Sequence, residues 1–78
     1  MGRLRIRILS QNDVVALVNS LNTWVDKFIL ESEDGTYRVN AKSVLGVLYF
    51  VSEHPMDTYL VNMTSGGYYP DGAKRFQF

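Results

Sequence analysis

Residues 34–50 read DGTYRVNAKSVLGVLYF, and the hydrophobic period changes inside this run. Asp34-Gly35 is a strong turn signal, because glycine takes positive φ without steric cost. Residues 37–40 then read as a short strand. From Lys42 onward the apolar residues Val44, Leu45, Val47, Leu48 and Val51 fall at the spacing of a small amphipathic helix over 42–51. Ser43 stands where an N-cap belongs, since its hydroxyl can accept a free amide of the first turn. Gly46 weakens such a helix by about 1 kcal/mol relative to alanine. It implies either close packing against a neighbour or a tolerated looseness.

The flanks extend this pattern in both directions. KFILESE at 27–33 reads as the strand entering the turn, with Phe28 and Leu30 facing the core. Residues 3–9 alternate Arg3, Arg5 and Arg7 with Leu4, Ile6 and Ile8, the period of a half-buried strand. The arginine row reads more readily as the solvated face of an edge strand than as an anion site. Between these strands, Ser10 and Asp13 form a capping-box-like pair with Asp in place of Glu. Val14, Leu17, Val18, Leu21 and Val25, extended by Trp24, then predict a helix over 11–25. After the 42–51 helix come a loop over 52–57, a strand over 58–63 and a loop over 64–67. Pro70 and Asp71 suit the first turn of a short last helix, and Gly72 counts against it.

The resulting order is β-α-β-β-α-β with a short final helix in question. It predicts an α+β open-faced sandwich: a mostly antiparallel four-stranded sheet with helices on one face. The chain has 78 residues and reads as a single domain over 1–78. Eight basic and eight acidic residues leave no net charge. That argues against a general binder of nucleic acid or of membrane surfaces, whose affinity rests on excess positive charge. With no cysteine and one histidine, thiolate metal sites and disulfides are excluded and no metal or other cofactor is expected. No nucleophile–base pair or phosphate-binding glycine loop argues for an enzyme. No apolar run matches a membrane span or a signal peptide, so a cytoplasmic location is expected.

The stretch VNAKSVLGVL, residues 39–48, resembles the segment around the regulatory serine of HPr, the phosphocarrier protein of the bacterial sugar phosphotransferase system. The resemblance extends over residues 3–63 and implies the same open-faced sandwich. In that family a histidine after the first strand, at the start of the first helix, carries phosphate. Ser10, Gln11 and Asn12 occupy that place here, without the accompanying arginine and proline. His54 lies downstream, in the loop after the second helix. The resemblance therefore implies a protein closer to the relative Crh, with the serine site and without the histidine.

By the same resemblance, Ser43 is the site of regulatory phosphorylation, and Lys42 with Val44, Leu45 and Leu48 forms the partner-binding patch. The implied partners are proteins, an HPr kinase and a transcriptional regulator, met by a monomer or weak dimer. Two other readings stay open: a divergent paralogue that keeps the fold and binds an unknown protein, and a phosphocarrier using a non-standard residue. The aromatic tail, with Tyr68, Tyr69, Phe76 and Phe78, departs from the family pattern. It is expected either to cover an open edge of the core or to offer a surface that dimerises.

Overall fold

The computed structural model describes residues 2–78. Its elements are β1 (Arg3–Arg5), α1 (Gln11–Leu21), β2 (Phe28–Glu31), β3 (Arg38–Asn40), α2 (Val44–Glu53), β4 (Tyr59–Asn62) and α3 (Asp71–Lys74). The strands form one antiparallel sheet in the order β1-β4-β2-β3. Register places Leu4, Leu60, Leu30 and Val39 in one row across it. That row, with Phe28 and Ile6, meets Val14, Leu17, Val18 and Leu21 of α1, Val47 and Phe50 of α2, and Ala73 of α3 in a single core. Each fully buried Leu or Phe stabilises by about 1.5–3 kcal/mol. The expected α+β open-faced sandwich is the observed fold, and the sheet is antiparallel throughout.

Helix α1 starts as its sequence dictates. The Asp13 amide donates to Ser10 Oγ at 3.1 Å, and the Leu9 amide donates to Asp13 Oδ2 at 3.0 Å. The helix stops at Leu21, four residues short of the expected end. Past Leu21 the backbone tightens to i→i+3 bonds, Thr23 amide to the Ser20 carbonyl and Trp24 amide to the Leu21 carbonyl, and Asn22 Nδ2 and Thr23 Oγ1 add second donors to the Val18 and Ser20 carbonyls. Val25, expected on the apolar stripe, is instead fully exposed in the following loop at 100%. Trp24 still packs against the core and tilts against Phe28 at 6.1 Å.

The turn at 32–37 is built by side chains. Gly35 has φ of 75°, and Asp34 Oδ1 accepts from Ser32 Oγ and the Thr36 amide. The Thr36 amide, then the Ser32 hydroxyl, hold the Asp34 carboxyl below the usual carboxylate range. These bonds take up residues at both strand ends, so β2 and β3 are shorter than the expected 27–33 and 37–40. Helix α2 is displaced relative to the predicted 42–51: it begins after Ser43 and runs to Glu53, into the expected loop.

The tail closes the β1 edge. Ile6 bridges Gln77, the Arg7 amide donates to the Phe76 carbonyl, and the Phe78 amide donates to the Arg5 carbonyl. Beyond Arg5, therefore, the expected strand over 3–9 gives way to pairing with the tail. Tyr69 and Phe76 are buried, while Tyr68 and Phe78 stay exposed. Tyr69 Oη lies within hydrogen-bonding distance of the Leu60 and Gly2 carbonyls, donates its one proton to either of them and accepts from the Asn62 amide, tying the tail to β4 and to Gly2. The short last helix forms as α3, N-capped by Pro70, with Asp71 and Lys74 at its ends. Gly72 favours it: a Cβ there would overlap Ser20 Oγ and stand 3.0 Å from Ser20 Cβ. The glycine is what lets α3 lie against α1.

Candidate functional site

The approach to α2 is set by Asn40. Its Oδ1 accepts from the Lys42 amide at 2.9 Å and its carbonyl from the Ser43 amide at 3.2 Å. This turn delivers Ser43 in extended conformation, φ −107° and ψ 118°, as the N-cap of α2. Ser43 Oγ accepts from the Gly46 amide at 3.2 Å. A phosphoryl group on this oxygen would sit against the unpaired amides and positive end of the helix. Ser43 is half-buried, and Gly46 leaves ordinary van der Waals space, 3.5 Å, to its nearest neighbours.

Lys42 is engaged within the molecule. Its Nζ donates to the Trp24 carbonyl at 2.6 Å and lies 5.8 Å from the centre of the Phe28 ring. The ammonium thus fastens the loop after α1 to the start of α2. A phosphate on Ser43 would gain Lys42 as a partner by drawing it away from that carbonyl.

The outer face of α2 is apolar. Leu45 is 79% exposed, Val44 37% and Tyr49 67%, while Leu48 is half-buried against the core. Val44, Leu45 and Leu48 are thus brought onto one helix surface beside Ser43. Tyr49 extends that surface one turn beyond Leu45. Sequence reasoning missed it, although the i, i+4 spacing from Leu45 was the available signal.

The place that the resemblance gives to a phosphorylated histidine lies at the start of α1. Ser10 is engaged as N-cap, and Gln11 and Asn12 are exposed in or beside the first turn. Leu9, Ser10 and Gln11 share a groove of about 210 Å³ with Leu48, Val51 and Ser52. One end of the α2 surface therefore adjoins the start of α1. His54 is elsewhere: it C-caps α2, with its ring 5.0 Å from Tyr37 and 4.8 Å from Phe50. It lines a separate cavity of about 230 Å³ with Tyr37, Arg38 and Tyr49.

Among the described residues, no three His, Cys, Asp or Glu side chains gather as metal ligands, and no helix is long and apolar enough to cross a membrane. Compared with models of known protein families, with curated proteins and with solved structures, the chain shows no significant match.

Proposed function

We propose that this protein is a non-catalytic, HPr-like regulatory module that binds a partner protein through the exposed face of α2. What carries the reading is the surface of Leu45, Val44 and Tyr49, apolar side chains left in solvent beside a capping serine. A small domain that exposes contiguous apolar side chains has reason to cover them with a partner. Ser43 is the control point. Phosphorylation there adds up to two negative charges at the helix start and alters what the adjoining apolar face presents. Ser10 and Asp13, at the place the resemblance gives to a phosphorylated histidine, are engaged in capping, which favours this reading over a phosphocarrier. The module acts in the cytoplasm, where such kinases and regulators work.

The experiment is intact mass after incubation with HPr kinase and ATP, with Ser43→Ala as control. A gain of one phosphate that the variant loses supports the regulatory site. No gain removes the phosphorylation role and leaves a docking domain of another kind, the divergent-paralogue reading.

A further inference from the structure

The sheet face turned away from the helices differs in charge from the molecule as a whole. Register places Arg3, Val61, Ile29 and Asn40 in one row of that face and Arg5, Tyr59, Glu31 and Arg38 in the next. Among the described residues the four strands hold three arginines and one glutamate, although the whole chain is neutral. Arg7 continues the row of Arg3 and Arg5 past the end of β1.

These guanidinium groups are held in place. Arg3 donates to Glu31 Oε2 at 3.0 Å and lies 4.2 Å from the centre of the Tyr59 ring. Arg5 and Arg7 both stack on the Phe78 ring, at 4.8 and 3.7 Å from its centre. Neither is within ion-pair distance of a carboxylate among the described residues, where the pairs are Arg3–Glu31, Arg38–Glu31 and Lys74–Asp71. Two like charges on one ring, neither of them in an ion pair, repel each other, although Asp13 lines the same groove as Arg7 and Phe78, and an incoming anion relieves this. Because the ring already orders both side chains, an anion binds them at a reduced entropic cost. Between the arginines, Ile29 and Val61 stand side by side and half exposed.

We infer that this open sheet face is a second docking surface, for an acidic segment of a partner protein. Its layout, aliphatic at the centre and arginine-rich around it, is that of a protein interface with a charged rim. Stacking of nucleic-acid bases requires free aromatic faces. Here Arg3 covers a face of Tyr59, and Arg5 and Arg7 lie against Phe78. The inference does not depend on Ser43 or on the α2 surface.

The test titrates the isotope-labelled full chain with a short peptide of alternating Glu and Leu, and separately with an oligothymidylate of equal charge. The expected result is saturable peptide binding that weakens with salt, with amide shifts at Arg3, Arg5, Ile29, Arg38 and Val61. Arg5→Gln/Arg7→Gln should weaken it about tenfold. Arg5→Lys/Arg7→Lys should retain most of the affinity, and Leu45→Glu should leave it unchanged. Should the double glutamine variant fail to fold, Arg38→Gln at the rim gives a smaller loss in the same direction. Tighter binding of the oligothymidylate would overturn the assignment in favour of nucleic acid. Shifts confined to α2, or equal affinity in folded glutamine variants, would overturn it outright.

Discussion

Gly72 of α3 lies so close to Ser20 of α1 that a methyl group on it would overlap the serine hydroxyl. Helix propensity alone favours alanine at position 72 by about 1 kcal/mol. Overpacking of a tight contact costs about 1–3 kcal/mol. Gly72→Ala is therefore expected to destabilise, seen as a lower urea midpoint. Ser20→Gly should recover much of the loss in the double variant, and independent, additive losses would show that the two helices do not press on each other here.

Gly46 should behave in the opposite way. Its backbone is helical, and the space for a methyl group is already ordinary contact distance. Gly46→Ala should raise stability by about 0.5–1 kcal/mol, measured as a higher urea midpoint with an unchanged slope.

Ser43 also has a structural role, separate from any phosphorylation. Its hydroxyl caps α2 through the Gly46 amide, so Ser43→Ala should cost about 1 kcal/mol. Ser43→Asp keeps a capping acceptor and should cost less in thermal unfolding. In partner binding, Ser43→Asp should tighten the complex and Ser43→Ala should not. Leu45→Glu, at an exposed site, should weaken binding while leaving the melting curve intact.

Burial pushes the Tyr69 phenol above its ordinary value of 10.0, with the Asn62 amide opposing. Below that pH the folded and unfolded chains both keep the proton. Above it the unfolded chain releases its proton first, so stability is full below pH 10 and falls as pH rises further. Tyr69→Phe should flatten this alkaline decline. At neutral pH it should cost about 1–2 kcal/mol, because the one proton shared between the Leu60 and Gly2 carbonyls is lost and the Asn62 amide loses its acceptor.

Glu31 accepts from Arg3 at 3.0 Å and pairs with Arg38 at 3.3 Å across three strands. Glu31→Leu leaves both guanidinium groups facing each other without their shared anion. A loss of about 1–2 kcal/mol is expected, smaller at high salt, and chemical denaturation at two ionic strengths checks it.

The parts of this architecture legible in the sequence were those with strong local periods. Alternation at Arg3–Arg5, the i, i+3, i+4 stripe of Val14–Leu21 and the Asp34-Gly35 turn each carry their own signal. What stayed hidden depends on partners distant in sequence. The end of α1 is a local exception: Val25 fits the apolar stripe, but after Leu21 the backbone tightens to i→i+3 bonds and leaves the helix. Lys42 reads as part of the partner-binding patch, and its attachment to the Trp24 carbonyl is a tertiary fact. The arginine row read as solvated surface. Its stacking on Tyr59 and Phe78 needs the register of β4 and the return of the tail.

The return of the tail to β1 also bears on how the chain acquires its structure during synthesis. The first strand finds its inner neighbour at Tyr59–Val61 and its outer neighbour at Gln77 and Phe78. Chains emerge from the ribosome N-terminus first, so Leu4 and Ile6 wait unpaired until residues 58–78 have followed them. Contacts so distant in sequence form slowly. The β2–β3 turn and α2 are the pieces able to assemble early. The arginines spaced through the waiting strand then serve a transient purpose, keeping an exposed hydrophobic segment from pairing with other nascent chains before its own partners arrive.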